Sequence, residues 1–253
     1  MAQSSSIAPV TARVWFGGAC SSLAGMRVRW LLASLLIVVG LVRTAAAADP
    51  ATVAVLYFDY DGKDTDLGML RKGLAQMLIS DLVATPAIRV VERARLQEVI
   101  DELKLQATTK IDQATAVKAG KLLGARYLVI GGYFDVMKTF RVDARVIDVE
   151  TGKVMFSAGA SGKPDDFGTL EQKLAGELGK YFATSLPAGK PQARRTPAKP
   201  PAALKADTLI EYGKALDALD AGDKKAAKLR LDKVVKDQPD FQLAQLDVDK
   251  LMK

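Results

Sequence analysis

Apolar and polar positions follow three rhythms along this chain. Thr52–Phe58 (TVAVLYF) is an unbroken β-branched and aromatic run, which predicts a buried strand. The polar, turn-rich stretch Asp59–Asp66 comes next. Leu67–Val83 then places Leu67, Leu70, Leu74, Met77, Leu78 and Leu82 at helical spacing, so it reads as an amphipathic helix stopped by Pro86. Ile88–Val91 is a short second strand, and Ala94–Leu105 a helix with Leu96, Val99, Ile100 and Leu103 on one face. A further helix runs from Asp112, its N-cap, to Leu123, with Gly124 as the C-terminal cap.

The rhythm then changes to period two. Tyr127–Asp135, Thr139–Val149 and Lys153–Gly159 are three strands in quick succession. The short connections Val136-Met137-Lys138 and Glu150-Thr151-Gly152 make them an antiparallel meander. In the middle strand Arg141, Asp143 and Arg145 alternate with Val142, Ala144 and Val146, so one face is wet. Asp166–Leu186 returns to helical spacing through Leu170, Leu174, Leu178 and Phe182. The order βαβααβββα predicts an α/β (α+β) domain over residues 49–186, a mixed sheet with helices packed on it.

Residues 187–203 are rich in Pro and Ala and carry only positive charge, through Lys190, Arg194, Arg195 and Lys199. Such a segment stays extended at roughly 3.1 Å per residue. It reads as a solvated linker; the functional alternative is a tether to anionic envelope surfaces such as lipid headgroups or cell wall. Beyond it, Leu204–Asp220 is helical, Gly222-Asp223 breaks the helix, and Lys224–Lys236 forms a second one closed by Asp237-Gln238-Pro239. Ala215, Gly222, Ala227, Leu231 and Pro239 at these separations resemble one tetratricopeptide repeat, although the aromatic positions of the first helix are not matched cleanly. Helical Asp240–Lys253 supplies a cap, which gives a small all-α tail over residues 204–253, docked on the main domain or paired with a second chain. A plain helical hairpin is the simpler alternative.

At the other end, Met26-Arg27-Val28-Arg29-Trp30, the apolar run Leu31–Val42 and the small residues Ala45–Ala48 form the three parts of a secretory signal. The run is about a dozen residues, short of the roughly 20 a spanning helix needs. Residues 26–48 are thus expected to be cleaved, leaving a mature chain from about Asp49 without a spanning segment. Residues 1–25 lack an apolar core and read as an upstream extension preceding a start at Met26. Cys20 lies there, in Gly-Ala-Cys, but no apolar run precedes it as lipidation requires.

Composition narrows the chemistry. The 253 residues are 49% apolar and 26% charged, as in ordinary globular chains. There is no histidine and a single cysteine, which excludes His-based triads, His-ligated metals, zinc clusters and disulfide frameworks. The net charge of +7 is local. Four Arg in residues 1–48 and four cations in 187–203 stand without acids; removing these eight from 36 leaves 28 against 29 acids, a net of −1. A nucleic-acid groove is not supported.

Asp59 and Asp61, two acids one residue apart after a strand, have the spacing of the nucleophile and acid/base pair of haloacid-dehalogenase-type phosphatases. Lys63 and Asp64 stand where that pattern needs Thr and an apolar residue, and Asp165-Asp166 precedes a helix instead of ending a strand. The acids also lack the spacing of a calcium loop, so a solvated polar turn is the expectation. Gly131-Gly132, inside a strand and without a following Lys-Ser/Thr, reads as a bulge or close backbone approach. Arg141–Arg145 reads as a solvent-facing strand with cross-strand charge pairs. No catalytic, cofactor-binding or metal-binding residue is assigned, and no cofactor.

Four phrases stand in order: Val53–Phe58, Ile88–Arg93 running into Leu96, Leu123–Gly132, and Val142–Val154. Together they resemble the curli-secretion component (CsgG-type) superfamily, with its soluble FlgO-like and TolB-amino-terminal-like relatives, over about residues 50–182. The resemblance implies a periplasmic or outer-membrane-associated assembly module. Pore-forming members add two transmembrane β-hairpins, one in the first turn of the meander and one after its last strand. A hairpin needs on the order of 20 residues, while the two sites offer only 136–138 and 160–165. The expectation is a non-enzymatic envelope scaffold with a helical protein-binding tail, associating with envelope proteins and with itself. The alternatives are a periplasmic ligand-sensing module and, further off, a phosphohydrolase built on Asp59 and Asp61.

Overall fold

The computed structural model describes residues 49–104, 112–137, 139–187 and 204–252, all within one compact unit, Ala47–Lys253. The upstream extension, the signal segment, Cys20 and the linker cations lie outside the described residues.

β1 (Ala51–Val55) is the centre of the parallel half of the sheet. It pairs on one side with β3 (Ile88–Val90) and on the other with β4 (Tyr127–Val136), with Val53 opposite both Val90 and Tyr127. A strand hydrogen-bonded on both edges and covered on both faces has no polar side to show, which is why its sequence is a continuous apolar run. β4, β5 (Thr139–Asp148) and β6 (Val154–Gly162) form the antiparallel meander, giving a mixed six-stranded sheet of order β3-β1-β4-β5-β6. The sixth strand, β2 (Asp59–Tyr60), lies against β4.

The single strand expected over Thr52–Phe58 is divided. β1 pairing ends at Val55, and the chain returns as β2 opposite Gly132 and Tyr133. Between them Leu56, Tyr57 and Phe58 are all buried. Gly131 explains how they fit: a Cβ there would lie 2.3 Å from both Asp143 O and the Phe58 ring. The β4–β5 register runs unbroken through Gly131 and Gly132, so the two glycines mark close approach and no bulge.

Helices α1 (Leu70–Leu82, entered through a 3₁₀ turn at Leu67–Met69), α2 (Arg93–Glu102), α3 (Gln113–Leu122) and α4 (Phe167–Ser185) complete the α/β part. Asp112 caps α3 by accepting from Thr115 N at 2.7 Å, and Gly124, at φ +63°, ends it. α4 buries Leu170, Leu174, Leu178 and Phe182, with Phe140 edge-on to Phe167 and Phe156 stacked on Tyr181. The β5–β6 turn is held by Asp148, whose carboxylate accepts from Glu150 N and Thr151 N at 3.0 and 2.9 Å.

The tail folds as α5 (Ala206–Asp220), α6 (Lys224–Asp237) and α7 (Gln242–Leu251). Ala215 and Ala227 are fully buried, and Asp223 caps α6 at Ala226 N after Gly222 turns the chain at φ +76°. α5 lies on α1, so α1 is buried on two sides and is not merely amphipathic: Lys72 and Gly73 are buried beside Leu74. The approach is close. A Cβ on Gly73 would sit 2.7 Å from Leu209 Cδ1, and one on Gly213 would sit 2.0 Å from Met69 O. One continuous apolar cluster joins both parts, from Val53 and Leu74 through Leu209 and Leu216 to Phe241.

Two buried positions make this packing testable. Gly213→Val drives a side chain into the Met69 backbone and is expected to cost about 1–3 kcal/mol, read as a lower denaturant midpoint. Glu171 on α4 is 1% exposed, and neither carboxyl oxygen has a hydrogen-bond partner among the described residues. Burial, and then the Asp81 carboxylate, push its pKa well above the ordinary 4.5. The folded state therefore holds this proton more tightly than the unfolded state does, and the stability it contributes is lost as pH rises from 4.5 through the raised folded value. Glu171→Gln should raise the melting temperature at neutral pH and flatten its pH dependence across that window.

Candidate functional site

Because β1 stops pairing at Val55, the chain leaving it is free to run over the carboxyl ends of the parallel strands, where open α/β sheets place their clefts. Here a cleft of about 320 Å³ is lined by Tyr57, Tyr60, Met69, Arg71, Lys72 and Asp217, with residues 62–65 forming its rim. Asp217 belongs to α5, so the cleft is completed only by the docked tail.

The lining side chains of Tyr57, Tyr60, Arg71, Lys72 and Asp217 are each held by a specific partner. Tyr60 stacks on Tyr133 at 5.1 Å and donates to Asp135 Oδ1 at 2.6 Å. Tyr133 donates in turn to Leu67 O at 2.5 Å, tying β4 to the start of α1. Burial and the Asp135 hydrogen bond push Tyr60 up to about 12, and burial pushes Tyr57 and Tyr133 higher, so the three phenols stay neutral. Tyr57 donates to Gln97 at 2.7 Å, and Lys72 Nζ lies 5.6 Å from its ring centre. Asp64 Oδ1 accepts from Asp66 N at 2.9 Å, which shapes the rim.

Asp59 and Asp61 are placed differently from each other. Asp59 is bound by Arg71 NH2 at 3.1 Å, while Arg71 Nε donates to Phe58 O at 2.9 Å. Asp61 is exposed, and its backbone N–H donates to Tyr133 O at 2.9 Å. A carboxylate locked to a guanidinium is poorly disposed to attack phosphorus, so Asp59 here positions the strand-to-helix turn. Among the described residues no cluster of three acids or cysteines could hold a metal. The segment expected to be a plain solvated turn thus supplies a short strand and one wall of the cleft. Arg141 and Asp143 also differ from expectation. They pair within their own strand, NH2 to Oδ1 at 2.8 Å, because both neighbours of Asp143 across the sheet are glycines, Gly132 and Gly159. A Cβ at Gly159 would lie 2.5 Å from Asp143 Oδ1.

The strongest electrostatic feature was not singled out from sequence. Asp220, at the end of α5, accepts from Lys72 Nζ at 2.6 Å and from Arg93 NH1 at 2.7 and 2.8 Å. Lys72 also reaches Asp217 at 2.6 Å, and Lys214 reaches Asp66 at 2.9 Å. The i, i+3 spacing of Asp217 and Asp220 on one helix face was the available signal. The side chains of Lys72, Arg93 and Asp220 are 11–12% exposed, so the network is little screened. Removing the shared acid strands Arg93 and leaves Lys72 with Asp217 alone. Asp220→Ala is expected to cost about 3 kcal/mol, whereas Glu98→Ala, which breaks the exposed Arg95–Glu98 pair, should stay within about 0.5 kcal/mol. Urea unfolding of both variants checks the contrast.

Residues 41–136 match the family of the curli production assembly/transport component CsgG. Among solved structures, Escherichia coli LpoB is 13% identical, with 64% of this chain and 83% of that chain covered and a TM-score of 0.39. The LpoB C-terminal domain from Salmonella enterica is also 13% identical, with 51% and 93% covered and a TM-score of 0.37. A variant PelC dodecamer from Paraburkholderia phytofirmans is 18% identical, with 55% and 92% covered and a TM-score of 0.37. No curated protein matches. The sequence match spans the chain from before β1 to the end of β4 and includes every residue of the cleft except Asp217. The similarity to the CsgG family thus covers residues 41–136, the parallel half of the sheet together with β4.

Proposed function

We propose that this chain is a non-enzymatic scaffold of the cell envelope, exported through residues 26–48 and acting in the periplasm by protein contact, with envelope proteins and with itself. The observation that carries this reading is a CsgG-type sheet whose strand connections stay short. β4 and β5 pair through to Val136 and Thr139, leaving only residues 137 and 138 between them. β6 ends at Gly162, directly before the 3₁₀ turn Pro164–Asp166 that leads into α4. A transmembrane hairpin needs about 20 residues at either place. Among the described residues no helix is long and apolar enough to cross a membrane. A module built this way works through its surfaces.

The C-terminal helices fit that role. Their α5 face is consumed by α1, while Leu229 on α6, 74% exposed, and Leu246 on α7 face outward as apolar contacts for a partner. The basic linker, 187–203, adds reach toward anionic envelope surfaces. The cleft beside Tyr57 supports a second reading, a ligand-sensing module, for which a small molecule that raises the melting temperature in proportion to the logarithm of its concentration is the sign.

Light scattering on the secreted chain, alone and after incubation with detergent-solubilised envelope, is the test. A defined oligomer, or a defined complex with one envelope protein, is the expected result; a monomer under both conditions overturns the scaffold reading.

A further inference from the structure

Composition hides the charge that the C-terminal helices turn outward. Residues 204–253 hold ten acids and ten cations. Some of the acids face inward: Asp220 meets Lys72 and Arg93, and Asp247 accepts from Tyr212, their side chains 12% and 11% exposed. The cations stay near the surface. Six of the ten, Lys224, Lys225, Lys228, Arg230, Lys233 and Lys236, stand on α6 against Asp232, Asp237 and the capping Asp223. α6 packs inward through Ala227, Leu231 and Val234. Its opposite stripe, at i, i+3, i+4, i+7, i+8 and i+11, is Lys225, Lys228, Leu229, Asp232, Lys233 and Lys236, every one exposed. Lys228 pairs with Asp232 at 2.6 Å and Lys233 lies 3.8 Å from Glu211, while Lys225 and Lys236, at the two ends, meet no acid among the described residues. Leu229 stands near the middle, 74% exposed.

Four lysines against one aspartate on the stripe call for an anionic partner, and the leucine selects among anionic partners. A soluble polyanion offers phosphates or carboxylates but no apolar phase for Leu229. A protein has to bring both acids and a pocket into register with a convex helix. A lipid surface supplies both without register: headgroup phosphates at the height of the ammonium groups, and acyl chains beneath for the leucine, with the lysine stems along its sides. Chain connectivity agrees. The basic linker joins the tail at Leu204, and the first turn of α5 shares a groove with the last turn of α6, Asp207 and Thr208 beside Lys233 and Asp237. The four cations of residues 187–203 therefore precede the tail on the Lys236 side of the stripe.

We propose that the outward stripe of α6 docks on an anionic lipid bilayer, with Leu229 entering the headgroup layer and Lys225, Lys228, Lys233 and Lys236 meeting the phosphates. The inference rests on the envelope location within the proposed function and goes beyond it by naming a lipid surface in addition to protein partners.

Co-sedimentation of the secreted chain with vesicles is the test. The unaltered chain should bind vesicles containing phosphatidylglycerol, bind pure phosphatidylcholine vesicles far more weakly, and lose the difference as salt is raised. Leu229→Ser and the double variant Lys225→Glu/Lys236→Glu should each lower the partition coefficient about tenfold. Their melting temperatures should hold, because all three side chains are exposed. Lys118→Glu/Lys173→Glu makes the same change of net charge on exposed lysines of α3 and α4, and should leave binding within about twofold. If the α6 variants bind as the unaltered chain does, or the α3/α4 pair weakens binding equally, the linker or net charge alone holds the vesicles and the inference falls. It falls too if the unaltered chain binds neither kind of vesicle. If the α6 variants lose a defined complex with an envelope protein while vesicle binding is unchanged, the stripe belongs to a protein, and this inference falls while the scaffold reading stands. A chain that binds vesicles through α6 yet stays monomeric and forms no protein complex upholds the inference and overturns the scaffold reading.

Discussion

The backbone of α5 touches the backbone at Met69, and that contact is possible only because residue 213 has no side chain. Gly73 permits the same closeness from the α1 side. At this separation Leu209 and Leu216 reach the cluster built on Leu70 and Leu74, so the tail shares the core of the α/β part. The short distance also brings Asp217 and Asp220 within 2.6 Å of Lys72. A larger residue at 213 would move the acids away and leave a lysine and an arginine half-desolvated in the interior. Packing and charge are therefore not separate contributions here; the glycine contact sets the geometry in which the ion network is favourable.

The same dependence reaches the cleft. It is lined by Tyr57 and Tyr60, placed by the break between β1 and β2, where the missing Cβ of Gly131 makes room for Phe58. One wall comes from α5. The site is thus assembled from a strand irregularity at one end of the sequence and a helix near the other. Its acids are paired within the structure, Asp59 with Arg71 and Asp217 with Lys72, which leaves a shaped, largely apolar surface flanked by neutralised charge. Such a surface recognises by shape.

Much of this was legible in the sequence. Helical spacing located α1, α3 and α4, period-two alternation located the meander, and Asp112, Gly124, Gly152 and Gly222 stand at the turns and caps their chemistry suits. The wet face of β5 came from Arg141, Asp143 and Arg145. Short connections were expected at residues 136–138 and 160–165, and in the structure they are shorter still, because β4 runs to Val136 and β6 to Gly162. The site was far less legible. Asp59 reads as one of two adjacent acids in a polar turn, and nothing local shows that an arginine twelve residues on will bind it.

What the sequence by itself determined is local: which segments are helices or strands, where they end, and which faces are apolar, because these depend on neighbours within a few residues. What only the tertiary structure decided is which polar groups meet. Lys72 and Asp220 lie 148 positions apart, and an ordinary surface lysine has the same local surroundings as this one. Desolvation and close approach create the difference, and both are properties of two elements in contact. The glycines at 73, 131 and 213 show the same limit. Their lack of a Cβ is written in the sequence, but the backbone, ring or side chain that would collide with one is supplied by the fold.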